Sequence, residues 1–306
     1  MARSTAGPSL AMRVVGALLG ARARRQEGRP VDLERERRLN DRITARLRVP
    51  AGVTLTEEVL GGVPVVRLSS GGGARGTVLY LHGGAYVLGS ARQALASVGV
   101  CTDGGPDIVS VEYRLAPEHP YPAAVDDAIA VYRALLDSPG AGRLVVAGES
   151  AGGGLLLLLL QRAHDEGLAM PAVAVPAYPW ADLSTSGPSA TANMGRDLLT
   201  RSQLLEEAAW FAGDRDLRDA AVSPLSGSFR GFPRTYLPVG TRDLLLDDAR
   251  RVAAAMAADG VDVELEEWPG AVHAFTALPL PEGRRYRQRL RELVHAALPP
   301  VEEETL

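Results

Sequence analysis

From residue 77 onward the chain alternates short apolar runs with longer stretches of helical period. The runs TVLYLH (77–82), DIVSVEY (107–113), RLVVAG (143–148), AVAVPAY (172–178), RTYLPVG (234–240) and VDVELEE (261–267) read as buried strands. Helical periods over 121–137, 151–166, 247–259 and 282–297 separate or follow them. Strands alternating with helices predict an α/β fold with a mostly parallel sheet. Upstream, TLTEEVL and VPVVRLS flank Gly61-Gly62, which predicts a β-hairpin and makes the sheet mixed. Gly71–Gly73 read as a loop. Two helices are expected at 10–26 and 31–48, the second rich in Arg and Glu and ended by Pro50. Residues 181–223 break the rhythm: they are long and loop-rich, with one helix near 201–212. An insertion of this kind usually forms a lid or cap over a site.

Composition narrows the chemistry. The 306 residues are 46% hydrophobic and 23% charged, ordinary for a globular chain, which excludes disordered and collagen-like classes. A single cysteine, Cys101, excludes an intrachain disulfide and fits a reducing compartment. Every one of the 33 basic residues is arginine, so a Schiff-base lysine, a P-loop lysine and pyridoxal phosphate attachment are excluded. Net charge is −4, which speaks against nucleic-acid binding. Residues 1–48 nevertheless carry twelve arginines against five acids, a basic arm that reads as a surface helix pair or as a contact to an anionic membrane. The longest apolar stretch, SAGGGLLLLLL near 150–160, is about half the length of a membrane span. The first 25 residues resemble a signal peptide only faintly, since Arg13 interrupts the apolar part. They read as an amphipathic helix, and the protein as cytoplasmic.

The strongest local signal is GESAG at 148–152, between the apolar strand RLVVA and an apolar helix. In that setting it is a nucleophile elbow. A tight strand-to-helix turn pushes the Ser150 hydroxyl into the open, and the following helix N-terminus lies under developing negative charge. The second signal is HGGAYV at 82–87, directly after a strand. Consecutive glycines let backbone N–H groups approach an oxyanion, which assigns the hole to Gly83 and Gly84 together with Ala151 after the nucleophile. Of the five histidines, His82 belongs to that loop and His119 lies between prolines. His164 and His295 lie in helices, and His273 falls in a loop after the last strand, late in the chain, where the base that serves an elbow serine belongs. Asp243, at the C-terminal end of RTYLPVG, is the acid that would orient it. Asp247 and Asp248 are near competitors that read as acids in the first turn of the next helix.

HGGAYVLGS, EYRLAPEHPYPAAVDDA (112–128), GESAGG, DLLLDDA and VHAF, in this order and spacing, resemble the hormone-sensitive-lipase-like (bacterial family IV) esterases over roughly residues 50–297. The resemblance implies an α/β-hydrolase fold with an eight-stranded, mostly parallel sheet flanked by helices. It implies cap helices at 1–48, and a catalytic domain at 49–306 with a cap insertion at about 181–223. It further implies a cofactor-free, metal-free serine carboxylesterase for short- to medium-chain esters, with Ser150 as nucleophile, His273 as base and Asp243 as acid. A small-molecule ester is the expected partner, with the chain acting alone or as a homodimer. Two departures stand out: Ala85 where the family usually has a third glycine, and Glu149 where many members have aspartate. The resemblance also sets the stripe Leu10, Val14, Val15, Leu18 and Leu19 over the site mouth, buried against the insertion that carries Trp210 and Phe211. Alternatives are a lactone or acetyl-ester hydrolase with the same triad, a membrane-associated lipase using the basic arm, and a ligand-binding receptor on the same fold.

Overall fold

The computed structural model describes residues 2–3, 7–71, 76–103, 105–138 and 143–299. Gly72 and Gly73 of the expected loop lie outside the described residues, as do residues 1, 4–6 and 300–306 of the two expected spans. The strands are β1 (Ala2–Arg3), β2 (Thr54–Leu60), β3 (Val63–Ser69), β4 (Thr77–Leu81), β5 (Asp107–Val111), β6 (Leu144–Glu149), β7 (Val173–Ala177), β8 (Arg234–Gly240) and β9 (Val263–Trp268). The helices are α1 (Leu10–Gln26), α2 (Leu33–Thr44), α3 (Ala94–Ser97), α4 (Ala123–Leu136), α5 (Ala151–Asp165), α6 (Ser189–Ala192), α7 (Arg201–Ala212), α8 (Leu246–Ala258) and α9 (Pro281–Ala297).

One sheet runs in the order β1-β9-β8-β7-β6-β4-β5-β3-β2. Among the described residues only the β2/β3 and β3/β5 pairs are antiparallel. Eight strands are the expected ones, and the two-residue β1 adds a parallel edge beside β9. The β2–β3 hairpin closes through Gly61 and Gly62, with φ of 58° and 84°, the two positive values that the favoured two-residue turn needs. At the centre, every residue of β6 is buried, and the six leucines 155–160 of α5 are at most 5% exposed. Burying such side chains contributes about 1.5–3 kcal/mol each. That burial holds α5 firmly against the centre of the sheet.

Helix α1 turns inward a different face from the one its leucines suggest. Leu10, Val14 and Leu18 are 74%, 51% and 67% exposed while Val15 and Leu19 are half-buried, so the expected stripe is only partly covered. The buried line is Met12, Gly16, Gly20 and Ala23. Approach distance explains it. A Cβ on Gly20 would stand 2.4 Å from the Gly195 carbonyl oxygen, so the helix backbone rests directly on the insertion. Leucines on this line would hold the helix off. Glu27 then accepts the Arg201 and Ser202 N–H groups at 3.0 Å each, and Glu206 accepts the Val31 N–H at 2.9 Å. The contact thus runs through residues 195–206 of the insertion, while Phe211 is buried in a stack on Tyr86. Helix α2 stops at Thr44, short of Pro50, as the Thr44 hydroxyl donates back to the Asn40 carbonyl at 3.0 Å. Its Arg37 donates to the Val87 and Ala116 carbonyls at 2.8 and 2.9 Å and pairs with Glu118 at 2.7 Å, tying the helix to the loops after β4 and β5. No helix among the described residues is long and apolar enough to cross a membrane.

Candidate active site

Strand register assembles the site. β4 pairs with β6 so that Leu81 lies opposite Gly148, which sets the loop 82–87 beside Ser150. β8 pairs with β9 up to Gly240 opposite Trp268, so the loops holding Asp243 and His273 leave adjacent strand ends together. All four segments emerge at the carboxyl edge of the parallel strands, where open α/β sheets place their sites.

Ser150 has φ 57° and ψ −121°, a sparsely populated conformation for a residue with a side chain. It is over-determined by its surroundings. Its N–H donates to the Ala177 carbonyl at 3.0 Å, and its own carbonyl accepts the N–H groups of Gly154 and Trp180 at 2.9 and 3.0 Å. The turn is tight enough that a Cβ on Gly152 would stand 2.1 Å from the Leu81 carbonyl oxygen. His273 Nε2 lies 2.8 Å from Ser150 Oγ, and His273 Nδ1 lies 2.8 Å from Asp243 Oδ2. Asp243 Oδ1 accepts the Leu245 N–H at 2.8 Å, so both carboxylate oxygens are engaged. His273 and Asp243 are 3% and 0% exposed. Burial alone would lower the imidazole pKa, but Asp243, with smaller help from Asp197 and Glu149, outweighs it and holds the pKa above its ordinary value.

The structure therefore brings together all three residues expected to act in sequence. It also separates the competing acids. Asp247 accepts the Ser189 N–H at 2.6 Å and pairs with Arg250. Asp248 accepts the Ala181 and Asp182 N–H groups at 3.1 and 2.9 Å and pairs with Arg251 at 2.7 Å. Both sit in the first turn of α8, as read, and both anchor the insertion.

Beside the serine, among the described residues none accepts a hydrogen bond from the N–H of Gly83, Gly84 or Ala151. Three donors are thus free next to Ser150. Gly84 has φ 126°, and a Cβ there would stand 2.0 Å from the Leu88 carbonyl oxygen. Ala85, at φ 54°, keeps the loop's left-handed course without glycine. His82 is buried, stacks on Tyr113 at 4.1 Å and donates from Nδ1 to the Gly83 carbonyl at 2.8 Å. Burial pushes its pKa down to about 4, which keeps the ring neutral and structural. His119 and His164 are exposed and His295 is half-buried against the Cys101 carbonyl, all away from the serine.

Four residues at the site were not found in the sequence: Tyr178, Thr276, Asn193 and Asp197. Tyr178 stacks its ring edge-on to His273 at 4.8 Å and reaches Thr276 at 2.5 Å, which in turn donates to Glu149 at 3.2 Å. Asn193 donates to the Asp243 carbonyl at 2.8 Å. Asp197 accepts the His273 N–H at 2.8 Å. Ligand-type atoms of Asp197, Asp243 and His273 come within 4.8 Å of one another, yet each side chain is already committed to hydrogen bonds inside the protein. No motif marks Asn193 or Asp197, because they lie in the irregular part of the insertion.

A model of the alpha/beta hydrolase fold matches residues 78–277, from β4 through the His273 loop. The chain belongs to the alpha/beta hydrolase family. It is 41% identical over 214 residues to an acetyl-hydrolase of Streptomyces hygroscopicus, covering 68% of this chain and 72% of that one. It is 33% identical over 270 residues to the esterase LipU of Mycobacterium tuberculosis, covering 83% and 91%. A solved hormone-sensitive lipase from a metagenome library superposes with a TM-score of 0.88 at 34% identity, covering 94% of this hydrolase and 98% of that chain. The resemblance read from HGGAYV, GESAGG and VHAF is borne out.

Proposed function

We propose that this carboxylic ester hydrolase acts on short- to medium-chain esters through an acyl-enzyme on Ser150. The observation that carries the proposal is the unbroken relay of 2.8 Å contacts from Ser150 Oγ through His273 to Asp243, built on a strained elbow whose serine is half-buried. His273 Nε2 takes the hydroxyl proton as Oγ attacks the ester carbonyl. The oxyanion so formed accepts hydrogen bonds from the N–H groups of Gly83, Gly84 and Ala151. Nε2 then returns the proton to the departing alcohol, and water attacks the acyl-Ser150 by the reverse sequence. Asp243 holds Nδ1–H and stabilises the imidazolium without itself taking the proton. The step as written uses no cofactor and no metal.

Residues 1–48 and the insertion act together as the cap in this reading, supported by the Gly20, Glu27 and Arg37 contacts. Tyr86, stacked on Phe211 at 3.7 Å and packed near Trp180 at 6.1 Å, ties the loop after β4 to helix α7 of the insertion through a buried aromatic cluster. A narrower reading as an acetyl-ester hydrolase is supported, as to the acetyl group, by the 41% identical relative named acetyl-hydrolase. A receptor on the same fold has no need of the complete relay.

The test is a panel of acetyl, butyryl, hexanoyl and octanoyl esters, with fluorophosphonate labelling of wild type and Ser150→Ala. Ser150→Ala should lose about 10⁴-fold or more in kcat and all labelling. Labelling at another serine would overturn the assignment. A sharp maximum at acetyl would select the narrower reading.

A further inference from the structure

Asp197 lies between α6 and α7, in the insertion, with its side chain 0% exposed. Its Oδ1 accepts the His273 N–H at 2.8 Å and the Leu198 N–H at 2.7 Å, and its Oδ2 accepts the Leu244 N–H at 3.1 Å. Leu244 directly follows Asp243. One carboxylate from the cap side thus grips both loops that carry the acid and the base. Among the described residues no arginine pairs with it. The charged groups facing it are Asp243 and His273. Those facing His273 are Asp243, Asp197 and Glu149.

We propose that Asp197 is a positioning residue that couples the cap insertion to the triad: its carboxylate holds the two loops in register and, as an anion, stabilises the imidazolium that His273 becomes on taking the Ser150 proton. Three N–H donors converge on this carboxylate, the pattern that favours its charged form. Burial and then Asp243 work against that and push its carboxyl up to about 7, while the base it faces is itself held above its ordinary value. The sign follows. While Asp197 is charged, His273 holds its proton more strongly. Removing that charge weakens the hold and moves the loss of the neutral base to lower pH. An asparagine at 197 offers one carbonyl oxygen in place of two carboxylate oxygens, so it keeps one loop contact and frees the other.

The proposal rests on the ester-hydrolase reading of Ser150, and that reading is tested apart by Ser150→Ala in the same assay. The experiment is kcat and KM against pH for full-length wild type, Asp197→Asn and Asn193→Ala. Asn193→Ala loosens the acid loop through the Asp243 carbonyl but removes no charge. Asp197→Asn should lower kcat about tenfold with KM nearly unchanged, and move the acid limb of kcat/KM down by about one pH unit, the usual effect of one nearby charge. Asn193→Ala should lower kcat and leave the limb in place. A limb unmoved in folded, fluorophosphonate-reactive Asp197→Asn, or moved equally by Asn193→Ala, would overturn the proposal. If Asp197→Asn does not fold, the imidazole of His273 in ¹⁵N-histidine-labelled wild type decides. Its inflection is expected above the ordinary histidine value of about 6.5, and one at or below that value would overturn the proposal.

Discussion

Replacing Asp243 by asparagine tests the triad most sharply, because the neighbouring donors leave the amide little freedom. Asp243 Oδ1 accepts the Leu245 N–H at 2.8 Å, and Oδ2 faces His273 Nδ1 at 2.8 Å. Asparagine satisfies Leu245 only by turning its carbonyl oxygen that way. Its NH₂ group then points at Nδ1 and demands an unprotonated nitrogen there. The proton is forced onto Nε2, which becomes a donor toward Ser150 and no longer a base. Flipping the amide restores the right tautomer but orphans a buried N–H, at about 1–3 kcal/mol. The lost carboxylate also withdraws roughly 4 kcal/mol of stabilisation from the imidazolium, for charges about 4 Å apart at an effective dielectric near 20. Together these come to about 5–7 kcal/mol, or roughly 10⁴–10⁵-fold in kcat. The assay is single-turnover and steady-state hydrolysis of a chromogenic butyryl ester, with circular dichroism to show an unchanged fold. Asp247→Asn is the companion variant and should stay within about tenfold of wild type, since Asp247 serves the Ser189 N–H and not the base. A mild effect at Asp243 with a severe one at Asp247 would refute the assignment.

Other outcomes follow from the same geometry. Because Asp243 and its neighbours raise the pKa of His273, kcat/KM should fall as pH drops, with an inflection above the ordinary histidine value of about 6.5; a profile flat from about pH 5 to 8 would exclude histidine as the base. Gly84→Ala forces a side chain into φ 126° and onto the Leu88 carbonyl, so kcat should fall about 10²–10³-fold while fluorophosphonate access to Ser150 persists; full activity would remove Gly84 from the oxyanion site. Deleting residues 1–30 strips α1 from the insertion and should leave Ser150 labelling intact but change the ratio of butyryl to octanoyl turnover and promote aggregation; an unchanged acyl profile would show that α1 is no part of the cap.

Much of this hydrolase is determined locally, and its sequence carries that part openly. Period-2 and period-3.6 patterns depend on a residue's immediate neighbours, which is why β3, β8 and α7 fall where their runs and helical periods lie. The elbow is legible for the same reason: GESAG after RLVVA states a turn, a strained serine and a helix start within one short stretch. His273 and Asp243 are legible because each follows a recognisable strand, and the pairing of β8 with β9 brings the two loops together. Tertiary structure decided what local pattern leaves open. The residues of α1 are apolar on more than one side, so periodicity did not show which face turns inward. The Gly16–Gly20 line won because a helix without side chains there comes close to the Arg242 and Val272 side chains at Gly16 and to the Gly195 carbonyl at Gly20. Asp243, Asp247 and Asp248 lie within six residues of one another, and only the fold shows that one meets the imidazole while the other two meet backbone N–H groups of the insertion. Asp197 and Asn193 belong to no motif. They matter because irregular backbone folds back onto two loops some fifty and seventy-six residues further along, a contact whose partners are distant in sequence and set by packing.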